Sequence, residues 1–305
     1  AGFRQRTLYG AEYRLKKTIT IEDLAFRANH VIKNEIEIVQ NQMARNGIDL
    51  IHGEASFIDP HRITIQRAGT TTEHRAHVIV IAVGTEPARP ADIPFDEKTI
   101  IDTDGLLTLK HLPTSLVIVG GGVIGTEYAS ILAMIGVPVI LIDKRPRLLE
   151  FVDAEIIAAL QKQMAAIGVT IYHADEVVAI RKESDGQITV SLTHEPPITT
   201  STLMYAIGRV GATKHLNLEA VGLTPDTRGR MIVNDHFQTA VPHIYAVGDV
   251  IGFPALASTS MQQGRHASCH AFGHPDHTDT DLLPYGIYAI PEISMVGRTE
   301  EELTK

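Results

Sequence analysis

The sequence predicts an α/β protein organised around a doubly wound, Rossmann-like sheet, and three observations carry that reading. From Leu116 onward, short apolar runs alternate with segments of helical periodicity, the rhythm of a parallel sheet with crossover helices. The first of these runs, "LVIVG", opens into Gly120-x-Gly122-x-x-Gly125 at the start of a helix. A second run, "HIYAVGDV", ends in Gly248 and Asp249, placing an acid at the carboxyl end of a strand, where such sheets bind ligands.

Taken in chain order, Thr20-Ile21-Glu22-Asp23 has the Ser/Thr-x-x-acid pattern of a helix start. Leu24, Ala28, Val31, Ile32, Val39 and Met43 then recur at helical spacing, and Gly47 can end the helix. "IDLIHGEASFID" and "RITIQ" predict short strands, "HVIVIAVG" a buried strand, and the Pro-rich "TEPARPADIP" a linker. After "LVIVG" come the helix "VIGTEYASILAMIG", the strand "VPVILID", a helix from Asp153 to Ile167, and "TIYH" as the next parallel strand. "EVVAIRKES" and "QITVSLTH" predict a hairpin or small meander. "LMYAIG", "MIVND" and "IYAVGD" predict short strands, followed by a helix from about Ala255 to Phe272. The one biased stretch is a His/Asp-rich loop near 274–281.

Composition bounds the function. The chain has 305 residues, a length that favours about two domains. Its 27 basic against 36 acidic residues give a net charge of −9, which argues against a nucleic-acid or anionic-membrane partner. Cys269 is the only cysteine, so the chain forms no internal disulfide, and a reducing, cytoplasmic setting is expected. The apolar region from Leu116 to Ile142 is broken by Gly120, Gly121, Gly122, Gly125, Glu127 and Pro138, which fits strand, turn and helix better than a membrane span. Residue 1 is Ala, and the chain stops in "RTEEELTK" as a helix begins, so a part of a longer protein is expected.

Each residue of the glycine turn has a task. Gly120 permits the tight turn, Gly122 lets the backbone approach a pyrophosphate, and Gly125 lets helix and strand pack closely. The N–H groups of the helix start favour phosphate charge. The alternative is that these glycines serve helix–sheet packing alone. An acid stands at Asp143, close to the expected spacing of about twenty residues. "DKRPR" then points two ways. Asp143 can accept hydrogen bonds from an adenosine ribose, as for NAD, whereas Lys144, Arg145 and Arg147 can pair with a 2′-phosphate, as for NADP. A solvated basic turn is the plainer reading of those cations.

Two further features stay open on the residues alone. Asp249 can hold a polyol hydroxyl, with the helix start near Ala255 to Ser258 facing a ring carbonyl, or it is a turn residue. His266, Cys269, His270, His274 and His277 form an imaginable Zn²⁺ set, but no CxxC framework supports it, and no metal is expected.

In the order "VIAVG", "GGGVIGTE", "YAIGR", "IYAVGDV" and "IYAIPEISMVGRTEEEL", the sequence resembles the two-dinucleotide-binding flavoproteins, the pyridine nucleotide-disulfide oxidoreductase family, over essentially its whole length. "GEASFID", "PARPADIPF", "LIDKRPRLLEFVD" and "YAVGDVIGFPALAS" are most similar to the branch that moves hydride between pyridine nucleotides. The resemblance implies a FAD-binding Rossmann-like domain split by an inserted NAD(P)-binding domain, with the start of an α+β dimerisation domain. The implied segments are 1–115 for the first FAD segment, 116–236 for NAD(P), 237–283 for the returning FAD segment and 284–305 for dimerisation.

The resemblance also implies site residues. FAD contacts would come from Ala55, Val83, Gly84, Thr85, Gly248, Asp249, Ala255, Leu256, Ala257 and Ser258. NAD(P) contacts would come from Gly120, Gly122, Val123, Ile124, Gly125, Glu127, Asp143, Arg145, Val177 and Gly208. Glu127 would stand by the nicotinamide and flavin, paired with a lysine preceding residue 1; the plainer reading is an exposed helix acid. The implied cofactors are FAD, NAD and NADP, the implied activity is movement of hydride between NADPH and NAD⁺ through the flavin, and the implied assembly is a homodimer or higher homo-oligomer. Dihydrolipoamide dehydrogenase or a related disulfide reductase is the alternative enzyme, and an inactive NAD(P)-binding fragment the third reading. The family's first Gly-rich loop, redox-cysteine region and C-terminal His–Glu pair are absent from these residues, and Val83 in "IAVG" replaces the usual threonine.

Overall fold

The structure, a computed structural model, describes residues 20–275 and 284–304. His277 and most of the expected His/Asp-rich loop lie outside the described residues, as do residues 1–19 of the first expected segment. The chain forms two compact units. Among the described residues, one comprises 20–35, 87–208 and 284–304, and the other 36–86 and 209–275.

The first unit is built on five parallel strands. Side by side they are Ile100–Asp102, Thr202–Tyr205, Leu116–Val119, Val139–Asp143 and Val169–His173. Successive side chains of a strand point to opposite faces, and here each face has its own core. Ile101, Leu116, Ile118, Val139, Leu141 and Met204 pack with the helices Val123–Met134 and Ala154–Ala166. Ile100, Val117, Ile142, Leu203 and Tyr205 pack instead with Ile188, Val190 and Leu192. Those last residues belong to an antiparallel sheet of Val177–Lys182, Ile188–Leu192 and Ile198–Thr200, the expected meander with a third strand added. The sheet is therefore buried on both sides, which is why its strands read as continuous apolar runs.

One strand is added to the expected elements, and the second helix keeps its expected place. The strand Ile100–Asp102, too short for any periodicity, brings residues before Leu116 into this sheet. The helix Ala154–Ala166 begins after Asp153 as its N-cap, close to the expected limits.

The second unit holds an antiparallel sheet of Glu54–Asp59, Arg62–Arg67 and Thr70–Arg75, and a parallel pair of Ile79–Ile81 with Ile244–Ala246. Its core gathers Phe57, Ile81, Leu218, Val221, Ile244, Ala246 and Val250. "HVIVIAVG" thus forms a strand only over its middle, and "MIVND" forms none: Met231 is buried and bonds the Val250 carbonyl singly rather than through a ladder.

The helix Ile21–Arg45 begins as its sequence specifies. The Thr20 N–H donates to Asp23 at 2.8 Å, and the Asp23 N–H to the Thr20 hydroxyl at 3.4 Å. Gly47, at φ +66°, turns the chain so that the Ile48 N–H reaches the Met43 carbonyl. Its apolar positions Val31, Ile32 and Val39 are exposed among the described residues. No described helix is long and apolar enough to cross a membrane.

Leu141 lies fully buried at the middle of the parallel sheet. Leu141→Ala is expected to destabilise the first unit by about 2–5 kcal/mol, read as a lower urea midpoint with an unchanged slope.

Candidate functional site

In an open parallel sheet the crevice forms at the carboxyl ends of the strands, where the strand order reverses. Here the chain runs outward from Leu116–Val119 through Val139–Asp143 to Val169–His173, then returns on the other side with Thr202–Tyr205. The turns after the two strands at the reversal are Gly120–Gly122 and Ala206–Gly208.

The four glycines of the first turn are not equivalent. Gly120 has φ +109°, and a side chain there would strike the Ala206 carbonyl; Gly125 faces the Gly120 carbonyl just as closely. A Cβ at Gly121 would collide with Leu148 and Asp143. Gly122 alone, the N-cap of the helix Val123–Met134, has an ordinary φ of −73° and open space where a Cβ would stand. It offers no side-chain cap, so the N–H groups of Val123, Ile124 and Gly125 are left for an external acceptor. A bare helix start beside an open cradle is what a pyrophosphate requires.

Asp143 ends the neighbouring strand and is 3% exposed. Its carboxylate accepts the Gly121 N–H, the Arg145 N–H at 2.8 Å, Arg145 Nε at 2.9 Å and Arg145 Nη2 at 2.6 Å. Burial alone would push this carboxyl up, but the Arg145 hydrogen bonds and charge outweigh it and hold it below its usual range. The two candidate selectors of ribose and 2′-phosphate are thus paired with each other. Arg147 is engaged elsewhere, donating to Glu301 at 3.1 Å and to the Glu150 carbonyl, while Lys144 is exposed.

The remaining NAD(P) candidates surround this turn system. Val177 is half-buried at the start of the antiparallel sheet, and Gly208, at φ +111°, follows Thr202–Tyr205. Glu127 is half-buried one turn into the glycine-turn helix, where it accepts the Tyr288 N–H at 2.8 Å. Burial pushes its carboxyl up, and the Tyr288 N–H offsets part of that rise.

In the second unit, most of the expected FAD residues follow two adjacent parallel strands. Val83-Gly84-Thr85 leaves Ile79–Ile81, with Val83 exposed and Gly84 at φ +69°; Gly248-Asp249 leaves Ile244–Ala246. Arg209 holds Thr85 by its hydroxyl at 2.9 Å and its carbonyl at 2.8 Å. The helix Ala257–Ala271 starts at Leu256, a residue with no capping group, and Ala255, Ala257 and Ser258 are exposed around it. An uncapped helix start beside Asp249 suits a ligand that carries both hydroxyls and electron-rich oxygens. Ala55 is exposed on the strand Glu54–Asp59 of the antiparallel sheet.

The imagined metal set takes another form. His266 and His270 stack on His236 with ring centroids 5.5 and 4.2 Å away, and Tyr245 bonds His270 at 2.9 Å. Among the described residues, no group of three His, Cys, Asp or Glu side chains is arranged to hold a metal ion.

Comparison with known proteins decides the family. The pattern of the pyridine nucleotide-disulphide oxidoreductases matches residues 5–264. The chain belongs to this family. Curated relatives named soluble pyridine nucleotide transhydrogenase are 51% identical in Mycobacterium tuberculosis, over the whole chain and 65% of the relative, and 43% identical in Colwellia psychrerythraea, over 95% and 62%. The crystal structure of LpdA from Mycobacterium tuberculosis superposes with a TM-score of 0.90 at 26% identity, covering 99% of this chain and 66% of that one. The HOCl-induced flavoprotein disulfide reductase RclA of Escherichia coli gives a TM-score of 0.77 at 29% identity, over 93% and 68%. This chain spans about 65% of the length of the transhydrogenase relatives from mycobacteria. As a pyridine nucleotide-disulphide oxidoreductase, it has a Rossmann-like flavoprotein fold whose family chemistry uses a flavin and a pyridine nucleotide.

Sequence reasoning misses three contributors in this family member. It treats Gly121 as a spacer, although the Gly121 N–H bonds Asp143. Gln263, buried in the helix Ala257–Ala271, accepts the Gly248 N–H at 2.7 Å and so fixes the turn before Asp249. Asp175 accepts the N–H groups of Glu176, Thr193, His194 and Glu195 at 2.8 to 3.1 Å, and its own N–H bonds the Asp143 carbonyl. The glycine fingerprint offers a signal for the first alone, since its middle position is also glycine.

The glycine geometry can be tested by contrast. Gly122→Ala is expected to leave the urea midpoint nearly unchanged while weakening NAD(P) binding by ~10-fold or more, about 1.4 kcal/mol. Gly125→Ala is expected to lower the midpoint itself, because its Cβ meets the Gly120 carbonyl. Calorimetric titration and urea unfolding of both variants check the pair.

Proposed function

We propose that this chain is part of a FAD-dependent soluble transhydrogenase that moves hydride between NADPH and NAD⁺. The observation that carries the reading is the Asp143–Arg145 pair at the nucleotide turn, which offers a ribose acceptor and a phosphate donor in one place. An enzyme that serves both dinucleotides needs both. The transhydrogenase names of relatives at 43–51% identity point the same way.

In this reading Gly120, Gly122 and Gly125 with the Val123 and Ile124 N–H groups hold the pyrophosphate, Asp143 and Arg145 hold the adenosine ribose, and Val177 borders the adenine. Gly208 shapes the facing turn, and Glu127 with its raised affinity for a proton is the acid of the glycine-turn helix. Ala55, Val83, Gly84, Thr85, Gly248, Asp249 and the 255–258 backbone hold FAD. The flavin, when bound, supplies the hydride relay between the two nicotinamides. The chain supplies orientation and charge; hydride exchange between these rings requires no general acid or base. The segments we propose follow the compact units: FAD contacts come from within 36–86 and 209–283, NAD(P) contacts from within 87–208, and 284–305 is the start of a dimerisation domain, so the boundaries lie near 87 and 209 rather than at 115/116 and 236/237. The whole protein would be a cytoplasmic homo-oligomer.

A disulfide reductase is the second reading, favoured by the match to RclA. The full-length, flavin-loaded protein is expected to reduce a thionicotinamide analogue of NAD⁺ with NADPH, without any disulfide substrate. Arg145→Ala is expected to raise the KM for NADPH by roughly 10- to 150-fold, the loss of a charge-assisted hydrogen bond, while oxidation of NADH persists. Reduction of lipoamide or another disulfide in place of the analogue would establish the reductase. Purification without flavin would leave a nucleotide-binding fragment.

A further inference from the structure

The sheet edge beside the Asp143–Arg145 pair holds a titratable side chain to which neither the sequence reading nor the proposed function gives a role. His173 ends the strand Val169–His173 and is the register partner of Asp143 on the adjacent parallel strand. Register partners in a parallel sheet lie ~4.8 Å apart and on one face. From that same face, Gln161 of the helix Ala154–Ala166 donates its amide to His173 Nε2 at 2.5 Å. The neutral ring therefore carries its proton on Nδ1, and Nδ1 is buried with no hydrogen-bond partner. Burial holds the imidazole below its ordinary range, and the Asp143 charge opposes that shift only in part.

The charged groups bearing on this ring are few. Asp143 is one, and Arg145 is paired to it. Gln161 is neutral, and the nearby Asp175 is bound to the backbone of residues 176 and 193–195. With Arg145 in place, the Asp143 charge is balanced and His173 has little reason to charge.

A 2′-phosphate changes that balance. It brings about two negative charges to Arg145 and competes for the guanidinium that Asp143 now holds. Asp143 would keep the Gly121 and Arg145 backbone N–H groups but lose its countercharge, and a buried carboxylate stripped of its partner is strongly unfavourable. Lys144 is already charged and lies exposed to solvent, so the partly buried group beside Asp143 that can gain a positive charge is His173. Building on the nucleotide site proposed above, we propose that His173 takes up a proton from solvent when NADP(H) binds, and none when NAD(H) binds. Protonation adds an N–H at Nε2, and the Gln161 amide turns to present its oxygen. His173 is thus a positioning residue: it acts through Asp143 to free Arg145, and it ties selection of the phosphorylated nucleotide to pH.

Isothermal titration of full-length, FAD-loaded protein with NADP⁺ and with NAD⁺, in two buffers of different ionisation enthalpy, counts the protons directly. At about pH 7.5 the 2′-phosphate is already dianionic and contributes little of its own. The wild type is expected to take up as much as one proton per NADP⁺, about zero per NAD⁺, and His173→Gln and His173→Asn are expected to abolish the difference. Because NADP(H) binding consumes a proton, its affinity is expected to fall as pH rises through the His173 pKa of the complex, with NAD(H) unaffected. Equal proton counts for the two nucleotides in the wild type would overturn the inference and leave the nucleotide site standing. A surplus that survives in both variants would overturn it as well. Binding of neither nucleotide would remove the site reading, and this inference with it.

Discussion

The carboxyl end of the parallel sheet depends on one buried carboxylate. Asp143 is almost wholly removed from water, so its charge must be compensated within the protein. Two pieces of chain do this, the Gly121 N–H from the first turn and Arg145 from the second. The compensation can come so close only because residue 121 has no side chain. The same anion therefore fixes the shape of the glycine turn, the position of the Arg145 guanidinium, and, through the Asp175 N–H on its carbonyl, the turn that follows the next strand. Geometry and charge at this edge cannot be varied independently.

The division of the sheet into two faces explains how that edge is kept rigid. One face is covered by the two helices and the other by the antiparallel sheet, so strand ends carrying Gly120, Asp143 and His173 are clamped from both sides. Ser115 adds a tie at the opposite end of the strands, exchanging hydrogen bonds with Ser201 on the segment that returns to the sheet. The carboxyl edge is then free to hold strained turns because the strands beneath it are not free to move.

What could be read from the sequence followed from period and punctuation. The glycine-turn helix, the strands around it and the capped helix at Thr20 all rest on local patterns several residues long, and each formed close to its expected limits. The strand Ile100–Asp102 escapes notice because three residues carry no period, and its place in the sheet is set by pairing with Thr202–Tyr205. "MIVND" misleads for the converse reason: an apolar run with one buried methionine looks like a strand, but no neighbour offers it a ladder. At the site, residue types were legible and their partners were not. Asp143 and Arg145 stand out as competing selectors, yet nothing in "DKRPR" shows that they bind each other. Gln263 and Asp175 act by reaching backbone groups brought near by the fold, a relation without a linear signature.

The four glycines of the turn differ in what requires them. Gly120, Gly121 and Gly125 are demanded by packing, whether or not the turn holds a ligand. Gly122 meets no such demand. A side chain there would meet no atom of the fold, so a substitution at this position leaves the packing intact. Packing thus accounts for three of the four glycines in this turn, and only Gly122 is left to be explained by what the turn holds.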